Sequence, residues 1–468
     1  MSSKKPDGLP PLGPHESFDP NALTFPPPPH FDLPSCNPRP LTAFEAPAKT
    51  TTLPALPSQP RISLLDEWYT LSTHLIPAAN PRVTPYLPVP PLPKWTSDKN
   101  EFRAAVRKTV DDITSTKEGQ WKGSLDSLPP NDRPLWNCVN RYVRKGLNRT
   151  GNGATLFLAH PNGFPKETWE PGLQRLIADY AGNANYQVDE IWAWEAANHG
   201  DACLLNGTNL GGIYDWRDNS RDILHFILHY LPSSASSVPL PTHLPRLADI
   251  YSESRKRHGF VDRRLLFIGH SFSGACLVRA AIEMPTLFER LFLVDAMVRP
   301  IHPMAPATCP PIRSLVTGAI QRRDGWASRE EAHRMFAATP FFAAWDPAAL
   351  EVYVQCALYD APDGQVHLKM PGVQEALCFA EERATFETFE LLPTLDTRIE
   401  LRWLVAAKLD PGDSVQRWRA VWRRPANSSH VRILESGHLI PQEKPAIFAK
   451  ELHEFLSSRY ATPRRSLL

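Results

Sequence analysis

Short apolar runs recur along this chain, and they constrain its fold more than any other feature. ATLFLA occupies residues 154–159, EIWAWE 190–195, LLFIG 265–269, LFLVD 291–295, LRWLVAA 401–407 and HVRILE 430–435. NCVNRYVRK, residues 137–145, reads as a further strand. Helical patterns lie between most of them. A strand with no polar face has to be covered on both sides. Such strands alternating with helices predict an α/β fold with a mainly parallel sheet between two helical layers.

The first hundred residues have a different texture. They hold 23 of the 49 prolines. Proline fixes φ and removes a backbone donor, so this density opposes regular elements. TFPPPPHFDLP and YLPVPPLPKW read as extended segments whose aromatics can pack on a globular body. Two helical islands are predicted in this region, Ser63–Ile76 and Lys99–Ile113. The expected division is a proline-rich arm over residues 1–130, partly disordered or wrapped on the core. A core follows over 131–300 and 396–460, with a helical cap over 301–395.

Several function classes lose support on composition. The formal net charge is +1, so no field draws the chain to nucleic acid or a membrane surface. No apolar run approaches the roughly 18 residues of a membrane span. Seven cysteines lie scattered without zinc-like spacing, which suits a reducing compartment and predicts no metal site. The N-terminus has charge without an apolar stretch behind it, unlike a secretory signal. The expected location is therefore cytoplasmic, with no organic cofactor. Nothing in the pattern sets an oligomeric state.

Chemistry concentrates at GHSFSGA, residues 269–275. An apolar strand ends at Gly269, and a helical pattern starts just after Ser271. A serine on such a turn presents its hydroxyl above the sheet edge, and small residues must flank it. Gly269 and Gly274 meet that need, while Ser273 stands where glycine is commoner. The backbone N–H of Phe272 then lies at a helix N-terminus, suited to an oxyanion. A serine N-cap without chemistry has the same local pattern.

A serine nucleophile needs a histidine base oriented by a carboxylate. His438 follows the last strand pattern, where the order Ser, acid, His requires it. Two acids fit. Asp295 ends LFLVD, the strand after the nucleophile's helix, and Asp410 ends LRWLVAAKLD one strand later. His160, His199 and His270 read as loop-orienting residues. The loop PNGFPKETW, residues 161–169, offers a second oxyanion donor, the N–H of Phe164 or Asn162.

These residues carry a resemblance. VNRYVRK, AHPNGFPKETWEP, ANHGDACLLN, NLGGIYDWRDNSRDIL, GHSFSGA, RRDGWASREEAHRMFAATPFFAAWDP and SGHLIPQEKP occur in this order. The series resembles the α/β-hydrolase superfamily, and within it a fungal group of toxin and mycophenolic acid biosynthesis hydrolases, some of them peroxisomal. The resemblance implies an α/β-hydrolase fold and a triad of Ser271, Asp295 and His438, with Asp410 as the ordinary superfamily alternative. It implies hydrolysis of an ester or thioester, acyl-CoA being a substrate class among relatives. DAMV at 295–298 departs from the DPVI-like sequence usual in the group. Ser466-Leu467-Leu468 is a weak peroxisomal signal, which makes that compartment the alternative location.

The expected activity is a serine hydrolase acting on a small-molecule substrate, an apolar acyl ester or thioester. A catalytically silent binding protein is the alternative from another class, with the proline-rich arm as its feature. Acyl transfer or carbon–carbon cleavage on the same triad also fits the residues.

Overall fold

The computed structural model describes residues 18–28, 35–44, 53–94, 96–147, 153–301 and 310–460. Its centre is an eight-stranded sheet. Along the chain, β1 is Tyr69–Pro77, β2 Trp136–Arg144, β3 Ala154–Ala159, β4 Val188–Glu195, β5 Arg264–His270 and β6 Arg290–Val294. Three short strands follow, β7 Gly325–Trp326, β8 Leu358–Asp360 and β9 Val366–Leu368, then β10 Glu400–Ala406 and β11 Ser428–Ile433. The sheet order is β1-β2-β4-β3-β5-β6-β10-β11, and β7, β9 and β8 form a small separate sheet. β2 runs antiparallel to both its neighbours, and every other pairing in the large sheet is parallel.

Side chains alternate between the two faces of a strand. In β3, Leu156 and Leu158 join one apolar cluster, with Trp169, Leu173 and Phe448. Phe157 joins the other, with Trp192, Phe226, Phe267 and Leu277. The helices Glu170–Tyr180 and Pro445–Tyr460 cover the first face. Trp216–His229 and Phe272–Glu283 cover the second. Both faces are therefore dry, which is why these strands read as continuous apolar runs.

The first predicted helical island is a strand. Residues 64–68 form turns, and Tyr69–Pro77 pairs with β2 along its whole length. Leu65, Trp68, Leu71 and Leu75 fall at helical spacing. A nine-residue ladder with β2 overrides that local pattern, and Thr70, Thr73 and Ile76 favour the strand. The second island forms as predicted and runs on, from Lys99 to Trp121. Asp98 caps it by accepting from the N–H groups of Asn100 (2.8 Å) and Glu101 (3.2 Å).

Described parts of the arm pack on the body. Phe18 meets Trp418 edge-on at 5.3 Å, and Trp418 Nε1 donates to the Pro26 carbonyl at 2.6 Å. Arg432 of the edge strand β11 donates its N–H to the Leu23 carbonyl at 2.8 Å. Farther along, Arg39 pairs with Asp215, Glu381 and Glu387. Between β6 and β10, Trp326, Phe336, Trp345 and Tyr353 make an aromatic cluster with Phe164 and Leu439 from the sheet side. Among the described residues no helix is long and apolar enough to cross a membrane. Ser466-Leu467-Leu468 lies outside the described residues.

Phe267 on β5 is fully buried, with rings of Phe288 at 4.4 Å and Phe157 at 5.5 Å. Phe267→Ala is expected to lower stability by about 3–5 kcal/mol in urea unfolding. Val261→Ala, at a position 81 % exposed, is expected to stay within about 0.5 kcal/mol.

Candidate active site

β5 delivers the chain to Ser271, and the helix Phe272–Glu283 leaves from it. The turn forces Ser271 to φ 58° and ψ −125°, a conformation costly for any residue with a Cβ, by about 1–3 kcal/mol. Neighbouring backbone holds it there. Ser271 N–H donates to the Val294 carbonyl at 3.0 Å, and its own carbonyl accepts from Met297 at 2.9 Å and Gly274 at 3.1 Å.

The small residues follow from close approach. A Cβ on Gly269 would lie 2.8 Å from the Gly274 Cα, and one on Gly274 would lie 2.6 Å from the Ala296 Cβ. Position 274 thus carries the close contact with the loop after β6. Ser273 fits the turn as the smaller departure, fully buried with no partner for its hydroxyl among the described residues.

Three of the predicted residues converge above the sheet's carboxyl edge. His438 Nε2 lies 3.0 Å from Ser271 Oγ, and His438 Nδ1 lies 2.6 Å from Asp295 Oδ2. With the imidazole neutral, Nδ1–H donates to the carboxylate and Nε2 accepts from the hydroxyl. Asp295 also takes a positive φ, 38°, pinned by its N–H to the Leu404 carbonyl at 2.7 Å. The other candidate acid is elsewhere. β10 stops at Ala406, so Asp410 does not end the strand. It begins the helix Pro411–Trp422, where its carbonyl accepts from Ser414 at 3.0 Å. The carboxylate on His438 is that of Asp295.

Asp295 has a partner that the sequence did not reveal. Arg417 donates through Nε to Oδ1 at 3.1 Å and through Nη2 to Oδ2 at 3.2 Å. Ala406 N–H also reaches Oδ1 at 3.3 Å. Burial alone would raise the Asp295 carboxyl. The guanidinium beside it and the hydrogen bond from His438 outweigh that, holding it well below the usual carboxylate range. Arg417 lies inside the helix after β10, with no motif around it to mark it.

The remaining histidines brace loops. His270 Nε2 donates to the His438 carbonyl at 2.9 Å, and burial, with the His438 ring beside it, pushes His270 down to about 3. His160 Nδ1 donates to the Pro161 carbonyl at 2.8 Å, while its Nε2 accepts from Ala196 N–H at 3.1 Å. His199 stacks on the Phe272 ring at 5.5 Å.

The Phe164 loop turns at Gly163, φ 84°, where a Cβ would lie 2.6 Å from Glu375 Oε1. Among the described residues, no protein acceptor takes the N–H of Phe164 or Phe272. A buried ionic group secures the far end of the loop. Lys166 donates its backbone N–H to Glu195 Oε1 at 3.1 Å and its ammonium to Asp201 at 2.7 Å. Lys369 binds the same Asp201 at 2.7 Å. Cys138, Glu195 and Asp201 sit close enough to share an ion, but these two ammonium groups already occupy the acids.

Residues 156–451 match the model of the alpha/beta hydrolase family, well over half of the chain. The chain belongs to that family. It is a hydrolase of the α/β-hydrolase fold. It is 24% identical to the peroxisomal membrane protein LPX1 of Saccharomyces cerevisiae over 73% of this chain and 87% of that one. The crystal structure of that yeast peroxisomal alpha-beta-hydrolase superposes with a TM-score of 0.58, covering 85% of this chain and 92% of the other. The type I acyl-CoA thioesterase mpaH of Penicillium brevicompactum is 27% identical over 48% of this chain. The chain spans 44% of the length of that relative.

Gly274→Ala is expected to lower stability by about 1–3 kcal/mol in thermal unfolding, against the usual gain from Gly→Ala in a helix. Ser273→Gly is expected to leave the fold intact, since it removes a buried hydroxyl without a partner.

Proposed function

We propose that this chain is a serine hydrolase that cleaves apolar acyl esters or thioesters through Ser271, His438 and Asp295. The observation that carries the proposal is the unbroken relay from Asp295 Oδ2 through both nitrogens of His438 to Ser271 Oγ. A serine hydroxyl is a weak nucleophile, and this arrangement supplies the base it lacks.

In the first half-reaction Ser271 Oγ attacks the carbonyl carbon as His438 Nε2 takes its proton. Asp295 holds the ring in the required tautomer and stabilises the imidazolium. The N–H groups of Phe272 and Phe164 receive the oxyanion, each donor lowering the barrier by about 3 kcal/mol. The imidazolium returns its proton to the leaving alcohol or thiol, and the acyl group stays on Ser271. In the second half, His438 takes a proton from water, which attacks the acyl carbon; the imidazolium then returns that proton to Ser271 Oγ as the acyl–oxygen bond breaks and the acid leaves.

Side chains around the candidate oxyanion loop favour an apolar acyl group. Phe164 stacks on Trp345 at 5.3 Å and meets Tyr353 at 5.6 Å, and Leu439 beside His438 joins the same cluster. A dry aromatic wall excludes water and strengthens the hydrogen bonds within it. The likeness to a type I acyl-CoA thioesterase supports the thioester half of the proposal. A binding-protein role would need the proline-rich arm free for a partner. The segments of the arm described above are instead engaged with Trp418, Arg432 and Glu387 of their own chain.

Intact-mass analysis after fluorophosphonate treatment is expected to show one adduct on the wild type and none on Ser271→Ala. An adduct on the variant would refute the nucleophile. Asp295→Asn is expected to cut turnover of an acyl ester by about 10⁴, while Asp410→Asn changes it little. The reverse ranking would move the acid to Asp410. In ¹⁸O-labelled water the released acid is expected to carry one labelled oxygen; its absence would point to acyl transfer.

A further inference from the structure

The helix after β10 contributes a cation to the site instead of an acid. Arg417 forms a two-point contact with Asp295, sharing Oδ2 with the His438 hydrogen bond. The guanidinium and the carboxylate are both buried, so water screens their interaction little. A bidentate pair of this kind fixes the carboxylate plane as well as its charge.

We infer that Arg417 is a positioning residue that sets the basicity of His438, by sharing the Asp295 carboxylate with it. The inference rests on the triad reading above. Without the guanidinium, Asp295 would present its full charge to the ring and hold the imidazolium more tightly. With it, part of that charge is balanced before the ring feels it. The charge is supplied from within the protein and moves with no step of the reaction.

Other groups face the same ring and carboxylate. His270 packs against the His438 ring at 5.2 Å and takes its carbonyl as acceptor. Burial keeps His270 uncharged near neutral pH, so it adds no charge there. Asp413, one turn before Arg417, adds to the field on the guanidinium. Glu443 accepts from the N–H groups of Gly437 (2.8 Å) and Leu439 (3.3 Å), bracing the loop on either side of His438. Arg417 alone among these places a positive charge in contact with Asp295. Its neighbour Trp418 is tied to the Pro26 carbonyl, which steadies the helix.

The test follows the rate of fluorophosphonate labelling of Ser271 against pH, a readout that needs no natural substrate. The acid limb of that profile reports the protonation of His438 in the free enzyme. Arg417→Gln keeps a donor toward Asp295 but removes the charge. It is expected to move the limb up by about one pH unit, which is about a tenfold slower reaction below the limb. Arg417→Lys keeps the charge and is expected to leave the limb within about 0.3 of the wild type. A uniform loss of rate in Arg417→Gln with an unmoved limb would overturn the inference and leave a purely structural role. If Arg417→Gln does not fold, Arg417→Met, uncharged and of similar length, takes its place: a limb moved up by about one unit supports the inference, and an unmoved limb overturns it. The triad reading fails separately, if Ser271→Ala is still labelled.

Discussion

One backbone constraint organises this molecule: the positive φ at Ser271. A residue with a Cβ does not stay in that conformation unless its surroundings hold it. Here the holding groups come from three elements. β6 supplies the Val294 carbonyl, the loop after β6 supplies the Met297 N–H, and the next helix supplies the Gly274 N–H. The same loop carries Asp295, itself at positive φ. Ser271 and Asp295 are thus held by one set of contacts, so a disturbance at one is passed to the other. The close approach of Gly274 to Ala296 is the steric counterpart of that linkage.

Much of this was legible in the sequence for a physical reason. Strands buried on both faces leave continuous apolar runs, and β3 to β6 and β10 carry them. A nucleophile turn leaves a short signature because its close contacts admit only small side chains. The order Ser, acid, His then narrows the partners to a few loop positions. β1 escaped because its partner is distant in sequence. The ladder with β2 determines its conformation, while its own residues carry a helix-like apolar spacing. Asp295 and Asp410 could not be separated by pattern, since each follows an apolar run. The structure separates them by where β10 stops and by which carboxylate reaches the imidazole.

Arg417 was illegible for a different reason. A charged residue in a helix reads as a solvated face. Only the packing of Pro411–Trp422 against the loop after β6 turns that side chain inward. The buried group around Lys166, Glu195, Asp201 and Lys369 is similar. Its members come from the Phe164 loop, the end of β4, the helix Gly200–Asn206 and the segment after β9. No local window contains more than two of them. Charges that meet across long sequence separations leave no periodic trace, yet they anchor the loop that carries Phe164.

The contact between Leu23 and Arg432 has a consequence for behaviour at high concentration. β11 is an end strand of the sheet, and such a strand offers free backbone groups to any other extended chain. Here the chain's own early segment takes one of those groups and lays Phe18 and Phe25 against the Arg432 guanidinium, at 4.9 and 4.8 Å. The proline-rich stretch therefore serves as a cover on a sticky border. Proline suits that task, because a segment poor in donors can shield an edge without becoming a new edge itself.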